Sequence, residues 1–263
     1  MKNYPALKTK KRSYSSLVTS ASFLFENKKV SCIKKQEKEY LEKEVFHTES
    51  MFAVFDKEKI LQKLKENKFF EQKYTFIDVS VLNDKFTLIP TEYFDEDTAE
   101  VFLNYNVPFF KNVGIRFNLV PQFDLVLVFY YPEELENIFT EFSDKIRITH
   151  TGFKFLSKIK SNPEKNGFFI TTYDDCFEAA LIENEKLLLY NIYPYKIAED
   201  IVYFLRLIFK NTNRELSQTS MYYYGRLGRD GEILTMLSQH FKSANPGVED
   251  SFERENYTIL DVL

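Results

Sequence analysis

Apolar and polar residues alternate on both sides of a Glu-Asn-x-Lys turn at two places in the chain, in residues 22–33 around Glu26-Asn27-Lys28-Lys29 and in residues 179–190 around Glu183-Asn184-Glu185-Lys186. A period of two puts every second side chain on one face of a strand, and asparagine tolerates the left-handed backbone of a tight turn, so both segments read as hairpins. The second follows the first by 157 positions, which predicts two related lobes. Glu-Asn recurs at Glu66-Asn67, Glu136-Asn137 and Glu255-Asn256, so the flanking strands carry the match.

The same pattern predicts strands over 14–21, 22–26 and 29–35 and a further strand toward Phe46, together an antiparallel meander. Asp56 is placed to cap a helix with Ile60, Leu61 and Leu64 on its face, and residues 74–82 and 86–90 read as extended. Asp95, Glu96 and Asp97 precede Ala99, Phe102 and Leu103 and read as the first turn of a helix, where carboxylates meet the positive end of the dipole; a metal site is the rival reading. Residues 123–131 are nearly continuous in apolar side chains and predict a central strand covered on both faces. Pro132 then opens a helix whose buried stripe is Leu135, Ile138, Phe139 and Phe142, followed by a strand at 146–149 and a helix around 153–160.

The loop 161–167 is the best boundary signal, and the chain divides at 1–150 and 151–263. The second half repeats the plan: strands at 168–173, 177–182 and 186–193, a helix with Ile197, Ile201, Phe204, Leu205 and Ile208 on one face, a strand at 219–224 and a helix at 232–241. Meander, helix, strand, helix is the order of a ribonuclease-H-like unit. Two such α/β units in tandem, each with a mixed sheet, build the actin-like ATPase architecture, a step that rests on fold-level analogy.

Two segments go further. Lys85-Phe-Thr-Leu-Ile-Pro90 with Phe94, Ala99 and Leu103, and residues 187–205 around Asn191, Tyr193, Tyr195, Lys196, Ala198, Glu199 and Asp200, resemble the signature stretches of the bacterial family called domain of unknown function 3822. Residues 123–135 and the turn Tyr224-Gly225 fall in the family's order, and the resemblance runs from about 15 to 241. It implies an actin-like ATPase fold with no assigned activity, and it supplies no catalytic residues.

Composition narrows the class. With 263 residues, 44% of them hydrophobic, including 27 Phe and 17 Tyr, the chain can bury an aromatic core. A formal charge of -4 withholds the broad basic field that nucleic acid requires. Cys32 and Cys176 form no Cys-x-x-Cys pattern, which fits a reduced, cytoplasmic setting. Lys8, Lys10, Lys11 and Arg12 superficially suggest a signal peptide, but Thr19, Ser20 and Ser22 interrupt the apolar stretch and Glu26 ends it, so a basic arm before the first strand is the expectation. No apolar run is long enough to span a membrane.

Actin-like ATPases grip phosphates with two hairpin tips that read Asp-x-Gly followed by Ser or Thr: glycine admits backbone N–H groups to the phosphate oxygens and aspartate holds the metal or its waters. Here the expected tips are Thr19-Ser20-Ala21-Ser22 and Thr171-Thr172-Tyr173-Asp174-Asp175, neither with glycine, and both read as strand-end turns; Asp174-Asp175 as a metal pair is the rival. Three of the seven glycines lie in Gly225-Arg226-Leu227-Gly228-Arg229-Asp230-Gly231. Gly225, Arg226, Gly228 and Arg229 are the ligand-binding candidates, an anion being drawn to two arginines beside a helix N-terminus, against a plain turn in which Asp230 caps the next helix. His47, His150 and His240 share no ligand spacing, and no nucleophile elbow or Walker loop occurs. The tyrosines at 130–131, 190–195 and 222–224 are either a recognition surface or half-buried rims. The expectation is a protein-binding scaffold without efficient nucleotide hydrolysis and without a required cofactor. The alternatives are an ATPase or small-molecule kinase using ATP and magnesium, and a ligand sensor without turnover.

Overall fold

A computed structural model of the chain describes residues 19–36, 39–48, 55–66, 73–108, 110–159, 166–228 and 231–260. Two five-stranded sheets dominate it. The first runs β3 (Glu39–His47), β2 (Lys29–Gln36), β1 (Thr19–Glu26), β4 (Phe76–Val81), β8 (Ile146–His150). The second runs β11 (Lys186–Pro194), β10 (Cys176–Glu183), β9 (Gly167–Thr172), β12 (Ser220–Gly225), β13 (Ser243–Pro246). In each, the first strand in sequence lies central, antiparallel to the second and parallel to the fourth: Phe23 faces Cys32 on one side and Val79 on the other, as Ile170 lies level with Tyr223 across a parallel pair. The matching strand order gives an α/β architecture with mixed sheets.

Helices cover the sheets where the periodicity places them. Asp56 accepts from the Lys59 N–H at 3.0 Å and opens α1 (Lys57–Glu66), which buries Ile60 and Leu64. Asp95 accepts from the Asp97 N–H ahead of α2 (Ala99–Asn106), and so acts as a cap. The helices α3 (Leu135–Phe139), α4 (Thr151–Ile159), α5 (Ala198–Thr212), α6 (Gly231–Ser238) and α7 (Ser251–Glu255) complete the set. One hydrophobic core runs through both halves, joining Phe23, Phe139, Phe155, Tyr224, Tyr257 and Ile259.

Several expectations need correction. Residues 19–26 form one strand, so the proposed break between Ala21 and Ser22 does not exist; residues 14–18 lie outside the described ones. The first hairpin tip is therefore Asn27-Lys28, and Thr19-Ser20-Ala21-Ser22 lies within β1. The two Glu-Asn hairpins are real but not equivalent. The first joins the first and second strands of its sheet and the other joins the second and third, so the structural counterpart of Asn27-Lys28 is Tyr173-Asp174-Asp175. Their turns differ as well, for Asn184 and Glu185 adopt left-handed backbone at φ 52 and 64 while Asn27 is not among the positive-φ residues. Ile197 precedes α5 and is 58% exposed, off the buried face. Pro132 ends the strand Leu125–Pro132 instead of opening a helix, and α6 stops at Ser238.

The apolar run near 123–131 becomes β7 (Leu125–Pro132), buried on both faces as expected, but it centres a separate antiparallel sheet between β5 (Phe86–Pro90) and β6 (Val113–Val120). This layer is inserted between β4 and α3, where in the second half only residues 226–230 separate β12 from α6. Most of loop 161–167, and Arg229 and Asp230, fall outside the described residues.

Candidate functional site

The parallel strands β1 and β4 end beside Phe25 and Val81, and β9 and β12 end beside Thr172 and Gly225. These carboxyl ends meet where the two halves join, and each first hairpin projects its tip there. Four charged side chains occupy the junction. Lys29, at the start of β2, pairs with Glu26 across its own turn at 2.7 Å and donates to Asp174 in the opposite tip. Arg226, just after β12, pairs with the same Asp174 and lies 4.0 Å from Glu26. Two carboxylates and two cations thus form a quartet that ties three loops together, with the Asp175 carboxylate near enough to act on both Glu26 and Lys29.

Burial sets its electrostatics. Lys29 and Glu26 are almost wholly enclosed, whereas Asp174 and Arg226 are half exposed. Burial pushes the Glu26 carboxyl above its usual range and pulls the Lys29 ammonium below its own, and each opposes the other's shift by its charge.

Gly225 fits this corner for a backbone reason. Its φ is +68, and a Cβ there would lie 2.6 Å from the Thr172 carbonyl oxygen and 2.7 Å from Thr171 Oγ1. The loop therefore lies against the end of β9 and delivers Arg226 to Asp174. Of the four ligand-binding candidates, Gly225 and Arg226 reach the junction, Gly228 ends the short turn after it, and Arg229 is not described.

The chain after β13 fills the space beneath. Residues 256–260 are buried, and both halves bond to them. Ser80 donates to the Thr258 carbonyl at 3.1 Å, the Tyr173 hydroxyl to Thr258 Oγ1 at 3.0 Å, and Lys158 to the Leu260 carbonyl at 2.9 Å. Lys154, itself fully buried, reaches the Ile259 carbonyl at 3.4 Å while pairing with Asp78 at 2.5 Å; this cation and Arg147 hold the buried Asp78 carboxyl down to about 2 despite burial. The Tyr257 and Tyr224 rings lie 4.1 Å apart. Between this segment, Glu26, Thr172 and Arg226 about 30 Å³ remains, room for a water molecule or two.

A second polar cluster lies where α4 starts. Thr151 donates to Glu178, and the Tyr173 and Tyr190 hydroxyls stand beside that fully buried carboxyl, whose burial pushes it up to about 8. The Gly152 N–H donates to His150 Nδ1 at 3.0 Å, so Nε2 carries the proton toward the Asn83 carbonyl at 2.8 Å; burial holds this histidine down to about 4. Cys176 is kept a thiol by burial and by nearby Asp175, and so does not read as an activated nucleophile. On the outer side of the tips a wider pocket of about 290 Å³ is lined by Asn27, Asn83, Asp84, Lys85, Asp175 and Cys176, among others. Among the described residues no three of His, Cys, Asp and Glu gather as a metal site, and no helix is long and apolar enough to cross a membrane.

Sequence reasoning singled out Asp174 and Arg226 but missed Glu26 and Lys29 as site residues. Their signal was present, a carboxylate and an ammonium flanking a two-residue turn, but the same letters at Glu183 and Lys186 serve differently, since Glu183 pairs with Arg214. The segment 256–260 carried no signal beyond its apolar content. The tyrosine clusters are mostly core: Tyr130, Tyr131, Tyr190, Tyr222 and Tyr224 are all buried.

The family described as "Protein of unknown function (DUF3822)" matches residues 18–244. Among solved structures, a Bacteroides thetaiotaomicron protein with actin-like ATPase fold and unknown function superposes with a TM-score of 0.72 at 18% identity, covering 88% of this chain and 91% of that one. The PilM-PilN type IV pilus biogenesis complex gives 0.61 at 12% identity, covering 91% and 94%. The ethanolamine utilization protein EutJ from Carboxydothermus hydrogenoformans gives 0.52 at 7% identity, covering 91% and 87%. These likenesses show the actin-like ATPase fold. No curated protein matches the chain.

Proposed function

The chain belongs to this family of unknown function, and we propose that it is a cytoplasmic protein-binding scaffold, a degenerate actin-like ATPase fold of two ribonuclease-H-like lobes (1–150 and 151–263) without efficient nucleotide hydrolysis. The observation that carries the proposal is the ion quartet at the hairpin tips.

A triphosphate needs backbone N–H groups and uncompensated positive charge at those tips. Lys29 and Arg226 already satisfy Glu26 and Asp174, neither tip contains glycine, and Tyr173 fills the approach in the second half. The space under the tips admits a water or two rather than a phosphate chain. The residues present at the tips do not fit a magnesium nucleotide. For the 225–229 loop to take an anion, Arg226 would have to leave Asp174. What remains is a joint held closed, which suits a body that presents surfaces. That PilM is found in a complex with PilN supports the reading at the level of fold alone.

One observation favours the alternative of a nucleotide-binding ATPase, small-molecule kinase or ligand sensor: the pocket of about 290 Å³ on the outer side of the tips. A turnover assay separates the two. Purified protein with magnesium and ATP is expected to release phosphate no faster than a blank. Steady turnover, lost in Asp174→Ala, would replace the scaffold with an enzyme.

A further inference from the structure

The inserted layer builds a surface that the junction does not use. Its helix α2 buries Ala99 and Leu103 against Ile89, Val126, Val128 and Tyr130. Val101 and Tyr105, four residues apart, point the opposite way and are 68% and 91% exposed, with Tyr93 just upstream at 65%. Large apolar side chains on the outermost helix of an insertion that the second half lacks bring the core nothing.

Between Lys85 and Lys111 the sequence carries charge of one sign. Residues 86–110 hold five carboxylates, Glu92, Asp95, Glu96, Asp97 and Glu100, and no lysine or arginine. All five are exposed. The nearest cation before them, Lys85, is paired with Asp84 and sits 5.4 Å over the Phe110 ring. We propose that the outer face of α2, Tyr93, Val101 and Tyr105 within this carboxylate field, docks a cationic amphipathic segment of a partner protein, its apolar side chains seated on Val101 and Tyr105 and its lysines or arginines over Glu96, Asp97 and Glu100. Apolar contact supplies affinity and the charges supply rate and register.

The proposal rests on the scaffold reading and names its partner's chemistry. Its test is fluorescence anisotropy of a labelled peptide with leucine and lysine at helical spacing, beside a peptide of the same composition with the leucines scattered, titrated with the full chain. The ordered peptide is expected to bind more tightly, and less so as salt rises. Val101→Ser/Tyr105→Ser and Glu96→Lys/Glu100→Lys should each weaken it by on the order of tenfold, the first with a nearly unchanged melting temperature because its sites are exposed and the second with a small fall, because the carboxylates it reverses lie at the positive end of the helix dipole. No binding, equal affinity for the two peptides, or equal affinity of the variants and the native chain would overturn it. Concentration-dependent dimerisation lost in the Val101/Tyr105 variant would also overturn it, assigning the face to a second copy of the chain. Nucleotide binding at the junction would sink the scaffold reading without altering any of these peptide outcomes.

Discussion

Lys29 at the start of β2 donates a hydrogen bond to Asp174 in the β9–β10 tip, 145 positions later in the chain, and so fastens the first sheet to the second. Replacing Lys29 with Met leaves the buried Glu26 without its nearest cation. Breaking a buried pair costs about 3–5 kcal/mol, and because Arg226 lies close enough to compensate in part, the expected loss is about 2–3 kcal/mol in denaturant unfolding. Glu26→Gln combined with Lys29→Met should lose less than Lys29→Met alone. An equal or larger loss in the double variant would mean that the uncompensated carboxylate is not the cause.

The glycines separate backbone need from open space. Gly225→Ala forces a Cβ into Thr172 at a left-handed φ and should destabilise by more than about 1 kcal/mol. Nothing lies within 4 Å of a Cβ on Gly231, at the start of α6, so Gly231→Ala should be neutral or stabilising by up to about 1 kcal/mol. Paired thermal melts check both, and a similar effect at the two sites would contradict the tight fit of Gly225.

Stability should also depend on pH through Glu178 and His150. The folded carboxyl titrates near 8 instead of 4.5, so the native state holds a proton that the unfolded chain releases, and stability declines as pH rises from 4.5 to 8. The folded imidazole titrates near 4 instead of 6.5, so stability declines as pH falls through that lower window. The two contributions oppose each other between 4.5 and 6.5, and above that window His150 no longer offsets Glu178. Unfolding free energy is therefore expected to be nearly level in the lower window and to fall by on the order of 1 kcal/mol between neutrality and 8. Glu178→Gln should abolish that fall. A native chain with no decline there would show that Glu178 is ionised in the folded state.

Much of the fold was legible because its signals are local. Asp56 and Asp95 announced their helices, and the alternation in 168–193 announced three strands, since capping and facial periodicity act within a few residues. What escaped depends on distant partners. β6, at Val113–Val120, is mostly half-buried and shows no clean alternation; β13 is a four-residue parallel edge strand whose order comes from β12. The hairpin correspondence failed because a turn motif records the local bend and not which strand lies central. At the junction, Arg226 and Asp174 stood out by residue type, but their pairing with each other and with Lys29 is a property of the assembled sheets. Sequence spacing offered no way to see that the loop read as an anion site carries an arginine already engaged by a carboxylate.

The most direct test of the closed junction is a thermal-shift titration of the native chain with ATP and magnesium. A ligand at 100 times its dissociation constant adds about 2.7 kcal/mol to stability and raises the melting midpoint by several degrees. The quartet and the buried segment 256–260 predict no shift at any millimolar concentration. A saturable rise that requires magnesium and disappears in Asp174→Ala would contradict them.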